Sequence, residues 1–443
     1  MERSLHYLYP TWEAKVELND LILISVDDHI CEPADMFDAH VPAKYREYMP
    51  RVVTDESGNQ QWWYGDIQGR NIGIAASAGK PKEMLHIEPS RYDEMRRGCY
   101  AVSERVRDMD AGGQLAGLNF PNWPGFGGQV LNQGPEPDVN EAMVKAYNDW
   151  HIDEWCGHAP DRFIPCGILP LFDPGRAAKE IHRLAAKGCH AVTFTENWQG
   201  LAQPPHTFHS RHWDPIWEAC DEEGTVVCCH LGASPRSIKL AEGDPISLVP
   251  GLYFHIMSIC TFGDLIWADF WDRFPNLKVA VSEGDIGWMP YFLQRAELVQ
   301  ETHSAWTKKV FGEGGPKGVF DKHVLCCFID DRLGIELLDK LNVNNVMWEG
   351  DYPHADTTWP YGPEAAMRNL KGLPDDQINL ITHENAIRHY QFDPFRTRPR
   401  QECTVGALRA TATDVDVVTH VGHTVRDADN AAAVFVPSGG SSN

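Results

Sequence analysis

"LILISVDDHICEP", from Leu21 to Pro33, runs an apolar stretch into two aspartates, a histidine and a glutamate. A run this rich in Leu and Ile reads as a strand buried on both faces, where charge is costly unless it is paired or bound to a cation. The charged residues are therefore expected at the strand's end. Alternation along a strand sends Asp27 and His29 to one side and Asp28 to the other, so Asp28 is expected as an exposed partner for a basic residue.

Seven further short apolar runs end in polar residues: "AGLNFPNW" from Ala116, "RFIPCGILP" from Arg162, "CHAVTFTEN" from Cys189, "TVVCCHLG" from Thr225, "LKVAVSEGD" from Leu277, "HVLCCFIDD" from His323 and "NVMWEGDYP" from Asn345. Helix-like segments separate most of them. "DPGRAAKEIHRLAAKG" (Asp173–Gly188) has an N-cap in Asp173, Pro174 at the first helical position and a terminating Gly188. Eight strands alternating with helices predict an α/β fold of the distorted (β/α)8 TIM-barrel type. An open doubly wound sheet is disfavoured, because neither a G-x-G-x-x-G nor a phosphate-loop motif follows any strand. In a barrel the strand ends converge on one face, which accounts for charge at the end of Leu21–Pro33.

Residues 33–110 are too long for a simple loop, and "RVVTDESGNQQWWYGD" (Arg51–Asp66) reads as two strands around a turn. They are taken as an insertion near the mouth of the site. One metal-dependent domain is expected over residues 1–395, ending with a helix in "HENAIRHYQFDP" (His383–Pro394). Residues 396–443 then form a C-terminal extension, of which the stretch from Thr411 onward lacks a helical apolar period.

Hydrophobic residues make up 43% of the 443 and include 15 Trp, enough for a large core and against wholesale disorder. The balance of 39 basic to 63 acidic residues, a net charge of −24, opposes nucleic acid and anionic membranes as partners. The N-terminal "MERSLHYLYPTWEAKVELND" has no signal-peptide core, and no apolar run is long enough to span a membrane, so the expected location is the cytoplasm. Twelve scattered cysteines without paired C-x-x-C motifs read as small buried apolar residues.

The strand ends collect Asp27, Asp28, His29 and Glu32, then Glu196, His230, Glu283, Asp330 and Asp351. So many acids on one rim cannot all stay ionised in a partly dry pocket without a compensating cation. Imidazole mixed with carboxylate suits Zn, Fe or Mn, and the lack of a matching thiolate set argues against a structural zinc. His354 and Asp356 are placed to orient substrate or to fix a ligand, and His354 can join Glu32 and Glu283 around a second cation. Trp123, Trp198 and Trp359, just past strand ends, are candidates for an apolar substrate wall.

"VDDHICEP" resembles the D-x-H-x-x-E-P opening of the amidohydrolase-2 branch of the amidohydrolase superfamily, whose better-known decarboxylase members open with H-x-H. The resemblance continues through "ERVRDMDAGG", "YNDWHIDEW", "PDRFIPCGILPLFDP", "HLG", "RFPNLKVAVSEGDIGWMPYFLQR" and "GDYPHADTTWP", and so covers most of residues 21–393. It implies a distorted barrel, a homodimer, and a metal held by Asp27, His29, His230 and Asp351, with Glu32 as a further donor. Where the decarboxylase members carry a catalytic His after the sixth strand, this chain has Glu283 in "SEGDIGW".

That departure favours hydrolysis over decarboxylation. The expectation is a hydrolase that activates a metal-bound water to cleave an amide, ester, lactone or thioester of a small molecule, with Asp351, Glu283 and His354 as the catalytic residues. The alternative is a metal-dependent non-oxidative decarboxylase. A third reading is a non-haem iron oxygenase, since two His and one carboxylate can form a facial iron site.

Overall fold

The computed structural model describes residues 16–73, 76–85, 89–195, 206–233 and 249–419, so Glu196 and Trp198 lie outside the described residues. The fold is α/β. Its strands are β1 (Ile24–Ile30), β2 (Arg51–Thr54), β3 (Gln60–Tyr64), β4 (Ile67–Asn71), β5 (Ala116–Pro121), β6 (Phe163–Ile164), β7 (Ala191–Thr195), β8 (Val226–His230), β9 (Lys278–Ser282), β10 (Val324–Phe328) and β11 (Val346–Trp348). The eight apolar runs read from the sequence correspond to β1 and to β5 through β11.

Parallel pairing gives two sheets, β1-β5-β6 and β7-β8-β9-β10-β11. Almost every residue in these strands is buried, which is why they carry continuous apolar runs instead of alternating ones. A parallel bridge between Gly167 and Val192 connects the chain after β6 to β7. On the opposite side, the Asp351 N–H donates to the Asp27 carbonyl at 2.8 Å and the His29 N–H to the Tyr352 carbonyl at 2.7 Å. The end of β1 and the segment after β11 are thereby stitched together.

Asp27, Asp28 and His29 lie inside β1, and only Glu32 lies beyond it. A register shift against β5 between Ser25 and Asp28 interrupts the ladder just where the charges begin. The expected helix after Asp173 forms over Pro174–Ala185, with the Asp173 carboxylate accepting from the N–H groups of Gly175 and Arg176.

Between β1 and β5, the antiparallel sheet has three strands, β2-β3-β4, where two were expected. β4, "IQGRN", has one large apolar residue and so little hydrophobic signal of its own; pairing with β3 makes it a strand. The extension after residue 395 also packs on the core. Its helix, Val405–Ala410, buries Val405 and Leu408, and the Val405 N–H donates to the Leu21 carbonyl at 2.8 Å. All twelve cysteines are free and only Cys260 is exposed. No helix among the described residues is long and apolar enough to cross a membrane.

Arg162, 2% exposed at the foot of β6, ties the start of β5 to the helix before it. Its guanidinium donates to the carbonyls of Gln114 and Leu115 and pairs with Asp110 at 2.8 Å. Arg162→Met should leave these acceptors unpaired and destabilise the fold by about 3–5 kcal/mol, read as a lower urea midpoint.

Candidate active site

The site assembles where β1, β8 and β11 end. His230 is the last residue of β8, and Asp351 follows β11 in a backbone conformation with φ of 50°. Glu283, just past β9, has φ of 55°. Left-handed conformations of residues other than glycine cost on the order of 1–3 kcal/mol and persist where surrounding contacts over-determine them. Here those contacts are the Asp27 carbonyl, which accepts from Asp351 N–H, and the Glu349 carboxylate, whose Oε2 accepts from Glu283 N–H at 3.3 Å.

Asp27, His29, His230 and Asp351 are fully buried and converge. His230 Nε2 lies 3.0 Å from His29 Nε2 and 3.2 Å from Asp27 Oδ1. His29 Nε2 is 3.4 Å from both Asp27 Oδ1 and Asp351 Oδ1. His354 stacks on His29 with ring centres 3.7 Å apart and brings its Nδ1 to 3.0 Å from Asp351 Oδ1. Glu283 Oε2 is 3.6 Å from His230 Nε2, and its side chain, 20% exposed, is the least buried of this group.

Burial, followed by repulsion from other carboxylates, pushes the carboxyl groups of Asp27, Glu283, Glu349 and Asp351 well above the usual carboxylate range. Burial and the neighbouring His354 and His230 hold the His29 imidazole well below its ordinary value, in the neutral form that ligates metals. Asp27 Oδ2 and Asp351 Oδ2 are buried without hydrogen-bond partners among the described residues, while two imidazole Nε2 atoms face one another at 3.0 Å. Unpaired anionic oxygens and facing nitrogens make this donor set fit a divalent cation.

Asp28 points away from the cluster, as alternation requires, but it is buried and not exposed. Its carboxylate accepts from Ser25 Oγ at 3.0 Å, Tyr352 N–H at 3.0 Å and Gln114 Nε2 at 2.7 Å, and burial lifts it to about 6. Glu32 is not brought to the donor set. Its Oε1 accepts from the Asn122 N–H at 2.8 Å and the Tyr147 hydroxyl at 3.2 Å, and its Oε2 from the Trp123 N–H at 3.1 Å. It anchors the segment after β5.

Trp123 is 1% exposed and stacks on Trp62 at 4.6 Å within the core, so it forms no open wall. Trp359 donates its indole N–H to the Asp108 carbonyl at 2.7 Å, beside the Arg96 guanidinium. Asp356 is exposed and raises Asp351 by repulsion. Asp330 pairs with Arg368 at 2.8 Å, on the surface.

Three residues escaped the sequence reading. Phe126, in the glycine-rich loop after β5, packs 4.7 Å from His29 and 4.4 Å from His230. Glu349 and Cys327 form a buried group with Asp27. Glu349 sits in the quoted "NVMWEGDYP", but only the fold reveals that it faces Asp27.

Residues 38–392 match the sequence profile of the family described as Amidohydrolase. The chain belongs to that family. Asp27 and His29 precede the matched stretch, and the fold brings them to its site. Among relatives, the decarboxylase orsB of Emericella nidulans is 24% identical over 318 residues, 66% of this chain and 88% of that protein. Among solved structures, an amidohydrolase of Mycobacterium avium subsp. paratuberculosis K-10 superposes with a TM-score of 0.65 at 20% identity, covering 83% of this chain and 99% of that one. The 5-carboxyvanillate decarboxylase of Novosphingobium aromaticivorans, complexed with manganese and 4-hydroxy-3-methoxy-5-nitrobenzoic acid, gives 0.58 at 17% identity, covering 84% and 96%. These structural likenesses show the fold.

The comparisons overturn the expectation of hydrolysis, because the named relatives of this amidohydrolase-family chain are decarboxylases. The absence of an imidazole at Glu283 was a poor guide, since burial raises the proton affinity of the carboxyl group that stands there.

His230→Ala and Asp27→Asn should each lose bound Mn²⁺ when elemental content is measured after dialysis, because each removes a donor from the cluster. Asp28→Asn should retain it. The amide it introduces faces three donors, so that variant should instead lose about 1–3 kcal/mol of stability.

Proposed function

We propose that the protein is a metal-dependent, non-oxidative decarboxylase of a small aromatic acid. The observation that carries this is the relation to orsB across most of that decarboxylase's length, joined to a buried imidazole and carboxylate set that fits a divalent cation. The reading takes the eight parallel strands as one closed, distorted barrel. The Gly167–Val192 bridge on one side and the Asp27–Asp351 and His29–Tyr352 hydrogen bonds on the other support that closure. It takes β2-β3-β4 as part of an insertion near the mouth.

Asp27, His29, His230 and Asp351 would hold the cation, taken as Mn²⁺, Zn²⁺ or Fe²⁺. Its chemistry is Lewis-acid neutralisation of the anionic groups that meet in the site. Phe120 and Phe126 pack on the imidazoles, at 4.7 and 4.4 Å from His230, and exclude water from them. Burial, with repulsion from Asp351, raises the proton affinity of the Glu283 carboxyl, which suits it to carry the proton that the reaction consumes. Glu283, the less buried, delivers it to the ring carbon that bears the substrate carboxylate. The carbon–carbon bond then breaks, its electrons return to the ring, and carbon dioxide leaves; one proton consumed balances the carboxylate lost. His354 keeps Asp351 oriented through the 3.0 Å contact.

The test is turnover of ortho-hydroxybenzoates, including 5-carboxyvanillate, by the Mn²⁺-loaded protein. Carbon dioxide should form, and in D₂O one deuterium should enter the ring where the carboxylate was. A product carrying ¹⁸O from labelled water, with no carbon dioxide, would overturn the reading. Glu283→Gln should lower kcat about 10²–10⁴-fold with Mn²⁺ still bound.

A further inference from the structure

The segment that carries Asp351 and His354 is anchored peptide by peptide. Gly350 N–H donates to Ser25 Oγ at 2.8 Å, and the Gly350 carbonyl accepts from Thr357 Oγ1 at 2.6 Å. Asp351 N–H and the Tyr352 carbonyl bond to β1. The Pro353 carbonyl has a different kind of anchor. It accepts from the N–H groups of Ser77 at 2.7 Å and Ala78 at 3.0 Å, two residues of a chain segment that contributes no donor to the site.

That segment is held on its far side by the C-terminal extension. Thr419 N–H donates to the Gly79 carbonyl at 2.8 Å, and Thr419 Oγ1 donates to the Ala78 carbonyl at 2.7 Å. Gly79 has φ of +73°, and a Cβ there would stand 2.6 Å from Thr419 Oγ1 and 2.8 Å from the Val417 carbonyl. Only glycine allows so close an approach. The extension is tied down again upstream, where Arg107 donates to the Thr411 carbonyl at 2.9 Å and pairs with Asp414.

We infer that Thr419 is a positioning residue, through which the C-terminal extension clamps Ser77 and Ala78 onto the Pro353 carbonyl and so sets the Asp351–His354 segment for catalysis. Thr419 is 8% exposed and Ser77 and Ala78 are each 3% exposed, so the hydrogen bonds in this relay are shielded from water. Thr419 itself lies beyond residue 392, where the family match ends, while the residues it holds lie within it. The inference rests on the reading of Asp351 and His354 as site residues.

Thr419→Val removes the hydroxyl donor and keeps the shape, Gly79→Ala pushes the extension away, and Thr419→Ser restores the donor. In the full-length protein loaded with Mn²⁺, the first two should lower kcat by about tenfold or more, since small misplacements of reacting groups are amplified in rate. KM and Mn²⁺ content should be unchanged, and Thr419→Ser should recover kcat. Hydrogen exchange at the amides of Ser77, Ala78, His354 and Thr357 should quicken in Thr419→Val and Gly79→Ala alone. Faster exchange confined to residues 77–79, or a normal kcat with the extension released, would overturn the inference. If no aromatic acid is turned over by the parent protein, the decarboxylase reading fails by itself. Exchange at His354 and Thr357 then still decides the clamp, unchanged protection overturning it.

Discussion

The structure depends on one electrostatic constraint: Asp27, within β1, and Glu349 and Asp351, just after β11, are buried together, and a low-dielectric interior does not tolerate several bare carboxylates. Either protons or a cation must offset them. The imidazoles of His29 and His230 stand 3.0 Å apart at their Nε2 atoms, and burial keeps that of His29 from supplying the charge. They can donate lone pairs beside the carboxylates, and this is the arrangement in which a divalent ion satisfies all of them at once. Acid clustering, His burial and the strained strand ends all follow from keeping this set in place.

Holding it requires rigidity from several directions. The Asp27 carbonyl and the His29 N–H bond to the segment after β11, so β1 and that segment move as one. Asp28, buried on the other side of β1, accepts from Ser25, Gln114 and Tyr352 and secures the same junction from behind. Glu32 performs a similar task for the segment after β5 that carries Phe126. Carboxylates that resemble ligands in sequence thus divide into those that converge on the donor set and those that position backbone around it.

The same division explains why chemistry was misread at Glu283. A carboxylate and an imidazole differ by about two pKa units in water, so a Glu in place of a His reads as a change of reaction. Within the site, desolvation and the charge of Asp351 raise the Glu283 carboxyl well above its solution value and narrow that difference. Residue type alone does not reveal proton affinity, because the environment contributes as much as the functional group.

The sequence by itself pointed to the eight strands, since strands buried on both faces must be written as continuous apolar runs, and it put Asp27, His29, His230 and Asp351 among the wider set of candidates because polar residues that close such runs are conspicuous. It also marked the helix after Asp173 through its cap, a local signal. Tertiary structure decided everything that depends on which way a side chain meets a distant one. Glu32 was drawn to the N–H groups of Asn122 and Trp123, some 90 residues on, and Trp123 into a stack with Trp62. Glu349 turned toward Asp27, and Phe126 came to rest against two imidazoles from different strands. Composition and spacing record periodicity along the chain. These pairings are set by packing between segments far apart in sequence, and no local pattern encodes them.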